Sequence, residues 1–421
     1  MAGSTCFQSC RKGIITRLNH HIFFTLRMNT STSSTPVNKL ALTAAYYLSI
    51  FTLGLFTAVG GPALPTLAEN TSSTLDQISL IFVLGSLGYL LGSYLGGQAY
   101  DRFPGHRLMA ITLLVIAVGG AFVPVVRQLW LLLMIQFALG LVQGANDVGC
   151  NTLLLWVHRK NAGPFINGLH FFFGVGAFIS PLVLAGILSL TGDIQWVFWT
   201  FSLLSLPLAF WFWTLPEPSA QSDRDSNGQR ASTPLIPVGL LVLAFLLYVG
   251  AEVGFGNWIY TYALTLGLGT AITSAYLTSA FWGTFTLGRL LGVWVSTRAR
   301  AVTILFVDLL GCLASLGVII LWGDSVLALW GGAIGLGLFM ASVFPTTLVL
   351  AGERMRVTGA MTGWFLVGAG TGGMILPWVI GQAFVGIGAG AMPLLLFVTV
   401  VANLLSIIFF IYLPNKQTQI V

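Results

Sequence analysis

Long apolar runs separated by short polar breaks fill most of the chain. A helix that crosses a bilayer needs about 20 mostly apolar residues. Twelve runs meet that requirement: 40–63, 76–99, 107–125, 129–156, 163–189, 194–214, 235–262, 270–296, 300–322, 325–350, 357–386 and 389–413. Most breaks span only a few residues. The stretch 215–234 is longer, charged and rich in Pro and Ser, which is the composition of a flexible linker. It divides the spans six and six. The pattern predicts an all-α membrane protein with a disordered N-terminal tail over 1–38, a six-helix bundle over 39–214, the linker over 215–234, a second six-helix bundle over 235–414 and a tail over 415–421. The first tail is Ser/Thr-rich and basic. It reads either as disordered chain upstream of a start at Met28 or as an organelle transit peptide.

The halves repeat one another. Helix two reads Leu87-Gly88-Tyr89-Leu90-Leu91-Gly92 and helix eight reads Leu287-Gly288-Arg289-Leu290-Leu291-Gly292. Helix five carries Gly174-x-Gly176-Ala177-x-Ile179-x-Pro181, and helix eleven carries Gly370-x-Gly372-Gly373-x-Ile375-x-Pro377. Both matches pair a helix with the one six places later, as a duplicated six-helix unit requires.

Composition agrees. Charged residues are 7% of the 421, against about 25% in soluble domains, so lipid must be the solvent for most of the surface. The net charge of +6 comes from Lys and Arg scattered singly or in twos, without the basic stripe that nucleic acid needs. Sixteen of the eighteen basic residues fall on one side of the membrane if the N-terminus is cytoplasmic; Arg127 is the only one in the opposite loops, and Arg289 lies within a span. That asymmetry predicts cytoplasmic termini. Cys6, Cys10, Cys150 and Cys312 form neither a disulfide framework nor a metal array.

Between helices two and three the chain reads Gly97-Gln-Ala-Tyr-Asp101-Arg102-Phe-Pro-Gly105-His106-Arg107. This resembles the cytoplasmic signature of the major facilitator superfamily, with one extra residue before Gly105. The resemblance implies twelve helices in two pseudo-symmetric bundles. It also implies a gating role for Gly97, Asp101, Arg102, Gly105 and Arg107, which latch the bundles in the outward-facing state. Asp147-Val-Gly149-Cys-Asn151, the His170-Phe171-x-Phe173-Gly174 run and Tyr248-Val-Gly250-Ala-Glu252-Val-Gly254-x-Gly256-x-Trp258 are similar to the sodium-dependent glucose transporter branch near the fucose permeases. Gln136 stands where proton-coupled drug exporters of the superfamily carry an arginine.

Ionisable side chains in mid-membrane cost about 2.5–3.5 kcal/mol on insertion scales and mark function by default. There are five: Asp147, His170, Glu252, Arg289 and Asp308. Gln143, Asp147 and Asn151 recur at i, i+4 on one helical face, beside Asn146. They offer oxygen ligands to a cation or a sugar hydroxyl, or an interhelical hydrogen-bond cluster. His170 stands at a depth matching Asp147, with Asn167 one turn earlier, as substrate contact or structural histidine. Glu252 lies on a glycine-rich helix read as interrupted at Gly250, Gly254 and Gly256, with Asn257 and Trp258 beyond it. A sugar needs both an acceptor and an apolar face, and Glu252 with Trp258 would supply them. Helix one has a similar break at Gly60-Gly61-Pro62. Arg289 and Asp308, at matching depth and of opposite sign, are expected to pair as a structural or gating contact.

These features predict a secondary active transporter, not an enzyme, taking up a sugar or similar small polar solute by alternating access. The coupling ion would be Na⁺ or H⁺ and no other cofactor is implied. Its partners are the solute and the lipid bilayer, without nucleic acid. It is expected as a monomer in the cell membrane. The alternatives are an exporter of a hydrophobic or lipid-like compound and a transporter-like sensor without turnover.

Overall fold

The computed structural model describes residues 39–218, 235–355 and 357–413; the tails and most of the linker read from the sequence lie outside them. The described residues from Leu40 onward form one compact unit. It is built of α1 (Lys39–Asn70), α2 (Leu75–Tyr100), α3 (Gly105–Phe122), α4 (Leu129–His158), α5 (Gly163–Thr191), α6 (Gln195–Thr214), α7 (Leu235–Thr265), α8 (Ala271–Ser296), α9 (Ala301–Leu321), α10 (Val326–Arg354), α11 (Gly359–Gly386) and α12 (Ala391–Tyr412). Eleven of these are long and apolar enough to cross a membrane. The remaining one, α8, has 26 residues, about 39 Å of helix; its Ser, Thr and Arg289 lower its apolar character. Twelve antiparallel passes put Lys39 and Leu413 at one end of the molecule, here the terminal face; the opposite end is the far face.

The internal repeat has a physical cause. In membranes small residues let helices approach closely, and both motifs are seams of this kind. A Cβ on Gly88 or Gly92 would strike the α4 backbone at Phe137 and Leu141, and one on Gly288 would lie 2.6 Å from the Leu338 carbonyl oxygen of α10. Gly176 lies against the Phe51 carbonyl and Gly54 of α1, and Gly372 against the Leu246 carbonyl and Gly250 of α7. Ser180 closes the first of these seams by donating to the Leu55 carbonyl at 2.7 Å.

Three helices differ from the sequence reading. α1 is not broken at Gly60-Gly61-Pro62 but continues to Asn70 with Pro62 and Pro65 inside it. α7 is likewise continuous from Leu235 to Thr265; Gly250 and Gly254 serve close packing against α11 and α12 rather than interruption. The real break is in α10, between segments Val326–Met340 and Val343–Arg354. Pro345 has no N–H and its ring clashes with the carbonyl four residues back, at Ala341.

Across the halves, α5 packs on α8, α2 on α11, and α1 approaches α7. These contacts lie at mid-depth and toward the far face. Ser279 donates to the Phe178 carbonyl at 2.5 Å, and Gln382 donates to the Asp76 carbonyl at 3.0 Å. A Cβ on Gly61 would come within 2.5 Å of the Asn257 carbonyl oxygen, so α1 and α7 touch backbone to backbone. Nearer the terminal face the facing side chains are exposed: Leu91, Tyr94 and Leu95 on α2, Leu290 and Trp294 on α8, Trp364 and Val367 on α11. The molecule is closed at the far face and open at the terminal face.

Candidate functional site: a charged cavity between the halves

The cleft left by this one-sided closure collects the intramembrane charges. Asp147 of α4 receives a hydrogen bond from the Tyr89 hydroxyl of α2 on one carboxylate oxygen. Its other oxygen accepts from the Asn151 amide at 3.0 Å. The i, i+4 stripe thus behaves as its spacing predicts, with Gln143 half-buried on the same face. Tyr89 was not singled out for chemistry in the sequence. It stands at the place in the repeated hexad where the other half carries Arg289, and that equivalence was the available signal.

His170 of α5 lies within electrostatic range of Asp147 and also of Arg289 across the cleft. Its ring is exposed, as is Asn167 one turn earlier. Both therefore face the open cleft. Arg289 is half-buried on α8, its guanidinium 4.6 Å from the centre of the Phe285 ring, a cation–π geometry. It acts on Glu252 and Tyr248 of α7 as well. Glu252 is 9% exposed beside the Tyr248 hydroxyl, whose proton goes to the Met340 carbonyl at 2.9 Å, just before the α10 break. The site is an alternating chain of charge: Asp147 and His170 from one half, Arg289 and Glu252 from the other. Buried charge is tolerated when opposite charge and hydrogen bonds meet it.

Several sequence expectations are corrected here. Arg289 and Asp308 do not pair: Asp308 accepts from the Ser342 hydroxyl of α10 at 2.5 Å, while Arg289 turns to the cleft. Matching depth was a valid inference, but helices eight and nine turn those residues to different neighbours. Asn146 is not in the cleft. It is fully buried inside the first half, where its carbonyl oxygen accepts from Ser49 at 3.1 Å and Thr112 at 3.3 Å. A residue next to Asp147 sits about 100° around the helix, which turns it inward. Trp258 is also core: it is 0% exposed, donates to the Pro377 carbonyl at 2.8 Å and packs on Phe384. It offers no face to a solute. Asn257 lies where α1 meets α7, its Oδ1 4.0 Å from where a Cβ on Gly60 would stand, so it belongs to the far-face closure above the cleft.

Of the loop signature, Gly105 packs on Leu153 of α4, while a Cβ on Gly97 would meet nothing within 4 Å. Asp101, Arg102 and Arg107 are exposed at the terminal face. Among the described residues Asp101 makes no hydrogen bond or ion pair.

Two six-helix repeats with a charged cleft between them, closed at one face and open at the other, define a secondary-transporter fold. The chain belongs to the major facilitator superfamily, whose family profile matches residues 46–377. It is 32% identical to sodium-dependent glucose transporter 1 of Xenopus laevis over 357 residues, covering 77% of this chain and 72% of that one. Major facilitator superfamily domain-containing protein 4A of Homo sapiens is 27% identical over 447 residues, covering 82% of this chain and 87% of that one. The fold is similar to that of the nucleoside transporter NupG, with a TM-score of 0.71 at 15% identity over 89% of this chain and 98% of that one. A D-xylose–proton symporter gives 0.70 at 13% identity over 91% and 99%. The protein is thus a multi-pass membrane transporter.

Proposed function

We propose that this protein carries a sugar, or a similar small polar solute, into the cell by cation-coupled alternating access. The observation that carries the reading is the convergence of Asp147, His170, Arg289 and Glu252 from both halves onto one cleft. A hydroxyl-rich solute can bridge such acceptors and donors, and doing so would link the halves in the loaded state. The likeness to sodium-dependent glucose transporters supports the solute class and a Na⁺ or H⁺ partner. An apolar cargo would leave these polar groups unsatisfied, at about 1–3 kcal/mol each. Arg102, Arg107, Arg159, Arg298, Arg300 and Arg354 at the terminal face, against Arg127 at the far face, support cytoplasmic termini in the cell membrane and an inward-facing state. We read the working unit as a monomer.

The test is uptake of radiolabelled hexoses into proteoliposomes under an imposed Na⁺ or H⁺ gradient. Concentrative uptake is expected for the wild type and should vanish in Asp147→Asn, with the variant still folded. Failure of every hexose under both gradients would overturn the sugar reading. Accumulation by Asp147→Asn equal to the wild type would remove the coupling role from that residue.

A further inference from the structure

Asp308 is a buried acid that the central cleft does not use. It is 7% exposed and sits at the inner end of a crevice of about 260 Å³ walled by α8, α9 and α10. The crevice begins at Ala299, in the terminal-face loop, and runs past Val295, Thr303 and Gly292 to Asp308 and Ser342. Its walls are mostly apolar, with Leu291, Ile304, Val307, Leu338 and Phe339 among them, and Thr303, Asp308 and Ser342 are its polar side chains.

The first half has a counterpart without charge. Thr112 and Asn146 stand 196 residues before Asp308 and Ser342, the same offset that separates Gly174 from Gly370 and Pro181 from Pro377. Thr112 of α3 donates to the Asn146 side-chain oxygen of α4 at 3.3 Å; in the second half the direction is reversed, Ser342 of α10 donating to Asp308 of α9 at 2.5 Å. One of two related nodes therefore carries a titratable group, and that one lies on the broken helix.

The break matters because of what Ser342 does there. Helical hydroxyls in this chain usually donate to the carbonyl four residues back, as Thr52 does to Leu48, Ser315 to Gly311 and Thr399 to Leu395. Ser342 instead reaches across to Asp308. On the other side of the break, Met340 gives its carbonyl to Tyr248, one turn from Glu252. Asp308 is thus joined through the α10 break to the central cleft.

We propose that Asp308 is a proton-binding site of the transport cycle whose occupancy sets the bend of α10 and, through Met340 and Tyr248, the setting of Glu252. The ionised carboxylate accepts from Ser342 and holds it out of the helix. A proton arriving from terminal-face water neutralises the carboxylate. The Ser342 hydroxyl then turns to the Leu338 carbonyl in the usual helical way, no other group losing a proton. Two side-chain oxygens are too few to replace the hydration shell of a metal cation, but one suffices for a proton. Among the described residues the crevice walls from α8 and α10 bring no other titratable side chain. Cys312, one turn on in α9, interacts with Asp308; α7 brings Tyr248 and Glu252, and the buried face of α12 brings none. The inference rests on the cation-coupled reading above, but it is tested without any solute.

Spin labels at Phe103→Cys and Glu353→Cys, both exposed at the terminal face in opposite halves, report its opening by double electron–electron resonance. The background carries Ser at the native cysteines. In liposomes the inter-label distance should shift by several ångströms between about pH 5 and about pH 8, a window that titrates a buried carboxyl. Asp308→Asn should hold the low-pH distribution throughout. Ser342→Ala, a milder change, should also abolish the shift. A wild type indifferent to pH, or an Asp308→Asn or Ser342→Ala variant that shifts like the wild type, would overturn the proposal. Either result leaves the sugar reading to the uptake experiment, so the two can fail separately.

Discussion

Adjacent glycines on α11 should respond to the same substitution with opposite sign. A Cβ on Gly372 would collide with the Leu246 carbonyl oxygen and stand 2.7 Å from its carbon and 3.0 Å from the Gly250 nitrogen. Carbon contacts are optimal near 3.5–4.0 Å, so α7 and α11 would have to part by close to an ångström, and backbone cannot rotate aside as a side chain can. Overpacking of this kind costs about 1–3 kcal/mol. Alanine regains about 1 kcal/mol in helix propensity, leaving Gly372→Ala destabilised by up to about 2 kcal/mol. At Gly373 the same Cβ meets only Val249 and Val253, at 3.6 and 3.7 Å. That is ordinary contact, and Gly373→Ala keeps the propensity gain. Thermal unfolding in detergent can be followed with a thiol-reactive dye, because Cys150 and Cys312 are buried and free and react on unfolding; Cys6 and Cys10 would first be replaced by Ser. At roughly 2–4 °C per kcal/mol for mid-sized domains, the two variants should melt at least about 2 °C apart, with Gly373→Ala the higher. Equal shifts, or a lower melting point for Gly373→Ala, would refute the seam as the reason for the repeat.

Other expectations follow from single contacts. Trp258→Phe removes the donor to the Pro377 carbonyl and should destabilise by about 1–3 kcal/mol in the same melting assay, while solute affinity measured by calorimetry stays within twofold. Tyr89→Phe leaves Asp147 without one of its two side-chain donors; hydrogen bonds to charged groups are worth about 1.5–3 kcal/mol, so hexose uptake should fall at least tenfold. A double-mutant cycle of Arg289→Ala with Glu252→Ala should show coupling above about 0.5 kcal/mol, and the cycle of Arg289→Ala with Asp308→Ala should be additive within that margin.

The fold was legible because membrane helices announce themselves by length and apolar content, and because the repeat motifs are the packing seams themselves. The Asp147–Asn151 stripe and its nearness to His170 followed from helical period and depth. What sequence could not supply was azimuth between helices. Asn146 and Asp147 are neighbours in the chain yet point to bundle interior and cleft, and Trp258 on a glycine-rich helix looked like a cleft residue until its neighbours were known. Glycine also misled: in α7 it marks close approach, while the true break, in α10, was signalled by Pro345. Tyr89 and Tyr248 went unread as chemistry because tyrosine in an apolar span is ambiguous until the acid beside it is known.

The contrast between contacts within and across the halves bears on how the transporter moves. Inside each half the seams are backbone on backbone: Gly88 and Gly92 on α4, Gly176 on α1, Gly372 on α7. Such contacts have no adjustable side chain, so each half resists internal deformation. Most contacts across the halves are softer. Gly174 meets the Thr286 side chain, Gly283 meets Phe178, Gly370 meets Leu90 and Gly381 meets Ser79. Side chains can slide or change rotamer, so these surfaces can roll on one another while the halves stay rigid, as hinge and shear motions require. The exception is Gly61 against the Asn257 backbone. It lies toward the far face, where opening to the other side must begin. Parting α1 from α7 there would expose Asn257 and uncover the cleft from above, while Asp101 at the terminal face becomes free to find a partner. Closure at one face and release at the other then become a single rigid-body event, with Asp147, His170, Arg289 and Glu252 at its pivot.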